Sequence, residues 1–266
     1  MPITPDGTVA EATLRPFDAE PPSRAAVVAR TALKRTFDVL LSALILLVAL
    51  PLVAVVTLAI LVESPGPVFY RAERIGRHGR RFWMLKFRKM RRRAGGVRLT
   101  TRDDARFTRV GALLARTKLD ELPQLLNVVR GDMSLIGPRP EDPGFVAERK
   151  TDFDVILRVR PGVTGLSQLA FAEESRILST EDPVGHYLDA ILPQKCGLDR
   201  LYVSSVSLRA DLRILVWTFI ATLLRRKVAV DRATGRMTFR RRRVSPGAPT
   251  RRDGDPDDAR AWQLTA

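Results

Sequence analysis

Two adjacent carboxylates, Asp120 and Glu121, are the residues of this chain best suited to chemistry. They precede Pro123, which fits only the first turn of a helix, and Gly131 stands where that helix would end. The pattern predicts both acids at a helix N-terminus, where the dipole and free N–H groups stabilise a carboxylate or a phosphate. Successive helical residues project about 100° apart, so one acid can attack phosphorus while the other holds a divalent cation.

An arginine between two prolines follows this pair, at Pro138-Arg139-Pro140. An Asp-Glu pair alone is more often a favourable helix cap than a site. Two prolines, however, fix the backbone around one guanidinium, which can then hold a phosphate rigidly. The combination favours chemistry on a phosphorylated substrate.

The net charge of +16, from 45 Lys+Arg against 29 Asp+Glu, indicates a polyanionic partner. That partner could be nucleic acid, an anionic membrane surface or a phosphorylated substrate. A single cysteine, Cys196, excludes an internal disulfide framework and a Cys-cluster zinc site. The two histidines, His78 and His186, are far apart in the sequence, which makes a His-rich metal centre improbable.

Residues 39–62 form an apolar run of 24 residues without a charge. As a helix it would measure about 36 Å, enough to cross a hydrocarbon core of about 30 Å. Basic residues flank the run on both sides, and Pro51 near its middle predicts a kink. We therefore expect a membrane helix over about 36–63 that is re-entrant, bending at Leu50-Pro51, with a straight span as the alternative.

The remaining pattern predicts an α+β fold that is mostly helical. Aromatic and β-branched residues at 67–71 and 81–87 enclose Gly-Arg-His-Gly, which indicates a small β-hairpin. Helical periodicity follows at about 107–116. The apolar residues 214–224 are too few to span a membrane and predict an interfacial amphipathic helix, or else a plain core helix. We expect a disordered leader over 1–32 and a polybasic, then acidic, disordered tail over 225–266.

The motifs of residues 33–224, taken in order, resemble those of the bacterial sugar transferase family, the monotopic polyprenyl-phosphate phosphoglycosyl transferases. They are KRTFD, the apolar run with its central proline, SPGPVFYR, KFRKM, LDELPQLLNVVRGDMSLIGPRP and RPGVTGLSQL. The resemblance implies a compact catalytic domain on the cytoplasmic face of the bacterial inner membrane.

The resemblance also implies a reaction. A nucleoside-diphosphate sugar, usually a UDP-sugar, gives its phosphosugar to undecaprenyl phosphate at the start of exopolysaccharide, lipopolysaccharide or other glycoconjugate assembly. In this family an aspartate forms a covalent phosphosugar intermediate and the next glutamate binds Mg²⁺. Carried over by motif, Asp120 is the nucleophile and Glu121 the magnesium ligand.

Further site residues follow from the same motifs. Lys86 and Arg88 resemble the family's Lys-Phe-Arg element and are expected to contact phosphates. Arg139 and Arg160 match Pro-Arg-Pro and Arg-Pro-Gly, either as phosphate ligands or as braces that orient the acids. Asp199 matches an acidic residue that could be a second metal or ribose contact.

The sequence departs from the family pattern in three places. Leu50 stands where a serine often precedes the kinking proline, and Lys89 replaces a small hydroxyl residue. The stretch 170–197 replaces the usual Asn-Gly-Arg-Asn element, with Arg176 as a candidate substitute. Because that stretch is expected to contact the nucleotide or sugar, substrate specificity is not inherited from the family.

A non-catalytic reading is a membrane-anchored basic protein that binds anionic lipid or nucleic acid. It explains the charge but leaves the Asp-Glu, Pro-Arg-Pro and Arg-Pro-Gly motifs without a role. The basic residues flank the apolar run or stand in the phosphate motifs, with further clusters at 225–227 and 240–243. This distribution predicts anionic inner-membrane lipid and phosphorylated substrates as partners, and no nucleic acid.

Overall fold

A single long helix, α1 (Arg24–Glu63), is the largest element of the computed structural model, which describes residues 24–91, 99, 104–178 and 181–239. Its segment Arg30–Glu63 is long and apolar enough to cross a membrane by length and composition. The helix starts within the leader that we expected to be disordered to residue 32, and the alanines and arginines of residues 24–32 favour a helix. It is helical through Pro51, and the re-entrant bend stays a prediction.

The predicted β-hairpin is confirmed. Strand β1 (Phe69–Ile75) pairs antiparallel with β2 (Arg81–Phe87), from Phe69↔Phe87 to Ile75↔Arg81. The first strand is longer than the pattern predicted. A short 3₁₀ turn between the strands places His78 at a positive φ of 57°.

The segment that carries the two acids runs from α2 (Arg109–Thr117) through a 3₁₀ turn (Leu119–Glu121) to α3 (Gln124–Arg130). The acids therefore precede the α-helix by one turn, and their predicted place in its N-terminal turn is wrong. Pro123 has no N–H to donate to the Leu119 carbonyl, which accepts instead from the Leu122 N–H at 3.1 Å. Gly131, with φ of 100°, ends α3 as predicted.

A parallel strand pair follows α3. Strand β3 (Ser134–Ile136) pairs with β4 (Gly162–Thr164), and the crossover between them holds α4 (Pro143–Glu148) and α5 (Lys150–Ile156). Four helices come next: α6 (Leu166–Ala170), α7 (Glu174–Ile177), α8 (Pro183–His186) and α9 (Leu192–Ser204), with a π-helical turn (Tyr187–Ile191) ahead of α9.

Helix α10 (Leu208–Leu223) begins six residues before the apolar stretch that predicted it. Asp211 and Ile214 face the core, while one side of the helix is apolar and exposed, at Leu208, Leu212, Val216, Phe219 and Leu223. A plain core helix would bury that side. The exposed stripe is the arrangement that an interfacial amphipathic helix requires.

A second hairpin, β5 (Val228–Val230) with β6 (Met237–Phe239), lies in the region expected to be a disordered tail. Val230 and Met237 pack against the main core, and this packing stabilises the hairpin. The basic composition of the region gave no indication of it. The remainder of that predicted tail, 240–266, falls beyond the last described residue.

The domain has one main hydrophobic core and a smaller cluster, and α1 packs against both. Phe37 and Leu41 of its first half contact the main core. Val56 and Ile60 of its second half pack with Phe87 and Leu114 in the smaller cluster. The long helix is therefore attached to the domain along most of its length.

Candidate active site

The two neighbouring acids each have their own lysine. Asp120 is buried, with 2% of its surface exposed, and its Oδ2 lies 3.2 Å from Nζ of Lys89. Glu121 Oε1 accepts a hydrogen bond of 2.9 Å from Nζ of Lys86. Lys86 is in β2, and Lys89 lies two residues after the end of that strand. The C-terminal end of β2 and the residues just after it therefore supply both cations.

Arg139 is the third cation of the site, with Nη2 4.0 Å from Glu121 Oε1. Burial by itself would raise the pKa of Glu121, but the charges of Lys86, Arg139 and Lys118 outweigh burial and hold that pKa far below its usual value. Glu121 is therefore a carboxylate throughout the physiological pH range. Burial lowers the pKa of Lys86, and Glu121 partly offsets the shift.

Asn127 of α3 joins the acidic turn to the strand that carries Lys86. Its side-chain Oδ1 accepts from the Leu85 N–H at 2.9 Å, and its Nδ2 donates to the Trp83 carbonyl at 2.8 Å. The side chain is almost fully buried. Because it satisfies two backbone groups of the hairpin edge, Asn127 sets the position of α3, and of the turn before it, relative to β2.

The β3–β4 pair places Arg139 beside this turn. The Gly137 N–H donates to the Thr164 carbonyl at 3.0 Å, and the Gly162 N–H donates to the Pro138 carbonyl at 2.8 Å. A Cβ on Gly162 would lie 2.1 Å from the Gly137 nitrogen, so the two backbones approach as closely as only glycine allows. The Arg-Pro-Gly motif thus fixes the base of the loop that presents Arg139.

Residues of the stretch 170–197 surround Arg139 on its other side. Burial would lower the pKa of Arg139, but Glu121, Glu174 and Glu141 raise it above its usual value. Glu174 Oε2 lies 2.5 Å from Nζ of the buried Lys195. Tyr187 donates to Glu141 Oε2 at 2.6 Å. The part of the sequence that departs from the family pattern therefore contributes a buried ionic network next to the site.

Asp199 lies in this buried region, one turn after Lys195 on α9. Burial raises the pKa of Asp199 to about 7, even though Ser167, Lys195 and the Arg139 backbone favour its charged form. Its Oδ1 is buried, and none of the described residues forms a hydrogen bond with it. The structure brings Asp199 to the backbone of the Arg139 loop rather than to the two acids.

Two predicted site residues contact other parts of the fold. Arg88 is buried and donates from Nη2 to the carbonyl of Ser64, just past the end of α1. Arg160 donates from Nε to the carbonyl of Gly131 at 2.9 Å, at the end of α3 opposite the acids. Whether Arg160 acts as a phosphate ligand or as a brace of the acids stays a prediction. The Arg176 side chain is outside the described part of the chain.

A divalent cation at Glu121 was expected from the family resemblance. Within residues 24–91, 99, 104–178 and 181–239 no group of three or more His, Cys, Asp or Glu side chains could hold a metal by itself. Mg²⁺, however, is commonly bound by one or two carboxylates together with phosphate oxygens of the substrate. Glu121, permanently ionised, fits that mode, in which the substrate supplies the other ligands.

The sequence did not point to all of these residues. Lys89 was noted as a departure but not as a partner of Asp120. Asn127 was missed, although a polar residue between the apolar pairs Leu125-Leu126 and Val128-Val129 was a usable signal. Glu141, Glu174, Tyr187 and Lys195 are distant in the sequence, and no spacing pattern connects them.

The arrangement has the parts that a transfer between two phosphates needs. A buried carboxylate can attack phosphorus, a second carboxylate can bind a cation, and Lys86, Lys89 and Arg139 can offset the charge of the phosphates. Carboxylates of this kind also serve as covalent nucleophiles.

Comparison with known proteins gives consistent matches. A family model described as bacterial sugar transferase matches residues 29–225. A UDP-glucose:undecaprenyl-phosphate glucose-1-phosphate transferase of Caulobacter vibrioides is 39% identical over 211 residues, covering 77% of this chain and 73% of that protein. An exopolysaccharide production protein of Rhizobium leguminosarum bv. phaseoli is 37% identical over 204 residues, covering 73% and 97%.

A third relative is named for a different sugar. The UDP-N-acetylgalactosamine-undecaprenyl-phosphate N-acetylgalactosaminephosphotransferase of Aeromonas hydrophila is 34% identical over 197 residues, which cover 72% of this chain and 44% of that protein. The two relatives named for a reaction thus share the acceptor and differ in the sugar.

Proposed function

This chain belongs to the bacterial sugar transferase family, and from that premise we propose that it transfers a phosphosugar from a UDP-sugar to undecaprenyl phosphate. The products are undecaprenyl-diphospho-sugar and UMP, and the reaction starts the assembly of a surface polysaccharide. The observation that carries the proposal is the pair of acids with separate cations, Asp120 with Lys89 and Glu121 with Lys86. The reactions named for the relatives support an enzyme over a non-catalytic membrane-anchored protein.

In the first step a carboxylate oxygen of Asp120 bonds to the phosphorus that carries the sugar. The bond from this phosphorus to the bridging oxygen breaks, and its electron pair leaves with UMP. The product on the enzyme is an aspartyl-phosphosugar. Arg139 and Lys86, next to the turn, are placed to bind the oxygens of the donor's diphosphate.

In the second step a phosphate oxygen of undecaprenyl phosphate attacks the same phosphorus. The bond to Asp120 breaks, and the aspartate regains its charge. In a direct reaction the phosphate of undecaprenyl phosphate would have to attack the diphosphate of the UDP-sugar, and the two anions repel each other. Transfer through Asp120, a carboxylate whose charge is offset by a lysine, divides this reaction into two steps with less repulsion in each. This order also gives ping-pong kinetics.

We propose Glu121 as the residue that holds Mg²⁺. When bound, the ion would neutralise phosphate charge and orient the diphosphate. Glu121 is suited to this because Lys86 and Arg139 keep it ionised. The same two cations position the carboxylate before the substrate arrives.

We further propose that the protein is monotopic, on the cytoplasmic face of the inner membrane. Both ends of the apolar run touch the catalytic domain. Near its start, Lys34 Nζ lies 2.6 Å from Asp211 Oδ2, and past its end Ser64 accepts a hydrogen bond from Arg88. Contacts at both ends favour a helix whose two ends are on the same side, over a straight span.

The surface around α1 supports the same placement. Aromatic and aliphatic side chains are also exposed outside α1, at Tyr70 of β1, Trp83 of β2, and Leu212 and Phe219 of α10. Arg71 and Arg81 are exposed on the same two strands, on the face of the hairpin that carries Trp83. Such a mixture suits the headgroup region of anionic lipid.

The proposal is tested with purified protein, undecaprenyl phosphate, Mg²⁺ and a panel of UDP-sugars, with UMP release as the measurement. One sugar should give UMP release that depends on undecaprenyl phosphate and that chelation of Mg²⁺ abolishes. Because relatives differ in their sugar, the panel should include UDP-glucose and UDP-N-acetylgalactosamine. No UMP release with any UDP-sugar would contradict the proposal.

A further inference from the structure

We propose that Lys89 is the positioning residue of the nucleophile Asp120, holding its carboxylate in place before attack and offsetting the charge that replaces it afterwards. This inference rests on the proposed transfer reaction and adds a residue to it. The family resemblance gave Lys89 no role, since the motif carries a small hydroxyl residue there.

The geometry separates the functions of the two lysines. Lys89 Nζ is 3.2 Å from Asp120 Oδ2, while Lys86 Nζ is 2.9 Å from Glu121 Oε1. Both lysine side chains are largely shielded from water, with 24% and 12% of their surface exposed. Screening is weaker in such places, so each contact is stronger than an exposed ion pair.

The backbone at Lys89 is held on both sides. Its carbonyl accepts from the Thr108 N–H at 3.1 Å, and the next residue, Met90, forms a bridge with Phe107. Gly111 of α2 packs on this carbonyl so closely that a Cβ there would lie 1.9 Å from the oxygen. The Lys89 ammonium also lies 5.6 Å from the centre of the Phe107 ring.

These contacts restrict where the Lys89 side chain can reach. A lysine on a free strand end would sample many rotamers and would lose side-chain entropy on binding one partner. Here the strand end is tied to α2, and α2 is followed directly by the turn that carries Asp120. The segment of Lys89 is thus connected through α2 to the turn that carries Asp120.

Charge balance gives Lys89 a partner in every state of the proposed reaction. Before attack it faces the −1 charge of the Asp120 carboxylate. After attack that carboxylate is an uncharged ester-like group, and the attached phosphosugar carries −1 on its non-bridging oxygens. When undecaprenyl phosphate displaces the aspartate, the negative charge returns to Asp120. In each of these states Lys89 is therefore next to a group with one negative charge.

The test measures the first half-reaction alone. Without undecaprenyl phosphate, the wild-type protein and Mg²⁺ should release UMP from the UDP-sugar in a burst of about one equivalent per active site. In Lys89→Cys the burst should be about 10- to 100-fold slower, the range expected for loss of a hydrogen bond to a charged group. Lys150→Cys, which removes an exposed lysine paired with Asp154, is the matched control and should leave the burst unchanged.

Chemical rescue distinguishes positioning from structural damage. Alkylation of Lys89→Cys with 2-bromoethylamine rebuilds a lysine-like ammonium and should restore the burst to within a few-fold of wild type. The native Cys196 is buried and its pKa is raised to about 12, so it should not react. Reagent-treated wild-type protein checks this.

A wild-type burst rate in Lys89→Cys would overturn the inference. So would complete alkylation at position 89, verified by mass, that leaves the burst slow. If Lys89→Cys does not fold, Lys89→Arg retains a cation and needs no alkylation. A burst clearly faster than that of Lys89→Met supports the inference, and a burst as slow as that of Lys89→Met overturns it. Absence of a burst in the wild type would instead contradict the covalent mechanism.

Discussion

Asn127 Oδ1 accepts a hydrogen bond of 2.9 Å from the Leu85 N–H. The acceptor belongs to the helix that follows the acidic turn, and the donor directly precedes Lys86 in β2. One buried amide therefore sets the distance between the acids and the strand that supplies their cations.

Replacing this amide should weaken both the fold and the site. Asn127→Ala leaves the Leu85 N–H buried without a partner, at about 1–3 kcal/mol, and also removes the partly buried hydrogen bond to the Trp83 carbonyl. We expect the unfolding midpoint in detergent to fall by several degrees and UMP release to slow. Ser204→Ala, which removes an exposed hydroxyl, should change neither by much. An Asn127→Ala protein as stable as wild type would show that this contact does not hold α3 to β2.

Lys86→Met tests the assignment of Glu121 as the cation ligand. The Lys86 ammonium is 2.9 Å from Glu121, so its removal lowers the positive charge that competes with Mg²⁺. We expect the Mg²⁺ concentration for half-maximal UMP release to fall several-fold, while the maximal rate drops because a phosphate-binding cation is lost.

Lys89→Met should lower the rate without changing the Mg²⁺ requirement, because its partner is Asp120. Equal shifts of the Mg²⁺ requirement in both variants would refute the separate roles of the two lysines.

Asp199 predicts a pH dependence of stability. Its pKa is raised to about 7 by burial, above about 3.9 for an unfolded chain. The native state binds the extra proton, so this contribution is complete below pH 4 and is lost as pH rises through 7. Asp199→Asn mimics the protonated form, and its stability should lack this decline, which amounts to at most about 4 kcal/mol.

Unfolding midpoints between pH 5 and pH 8 measure this difference. Asp154→Asn, at an exposed site, is the control and should follow the wild type. If the unfolding midpoint of Asp199→Asn changed with pH in the same way as that of the wild type, Asp199 would be ionised in the folded protein throughout this pH range.

Topology can be tested by cysteines at two exposed positions, Arg30 and Arg80, on either side of the apolar run. A monotopic protein requires both to be protected from a membrane-impermeant maleimide added to intact cells and both to react after lysis. The buried Cys196 should give little background. One position that reacts from outside would establish a straight span.

Local sequence signals predicted much of this fold. Alternating aromatic residues marked the β1–β2 hairpin, and Gly131 marked the end of α3. The exact turn of Asp120 and Glu121 was not predictable, because it depends on the left-handed conformation of Lys118, which no residue preference favours. The β5–β6 hairpin was missed since its stability comes from packing on distant residues such as Leu166 and Leu201.

The site was predictable to the extent that its residues lie in recognisable motifs. Asp120, Glu121, Lys86 and Arg139 lie in recognisable motifs, and the structure brings them together. Arg88 and Arg160 belong to the same motifs, but their side chains bind backbone carbonyls elsewhere. A motif gives residue types in order, whereas the partner of each side chain depends on tertiary packing.

The covalent intermediate on Asp120 is the central claim, and the intact mass of the protein tests it most directly. After brief incubation with UDP-sugar and Mg²⁺ but no undecaprenyl phosphate, wild-type protein should gain the mass of one phosphosugar. Peptide mapping should locate this adduct on the peptide that contains residue 120. Adding undecaprenyl phosphate should remove it. Asp120→Asn should form no adduct, and Asp154→Asn should form it normally. An adduct that persists in Asp120→Asn, or that maps to another residue, would contradict the account.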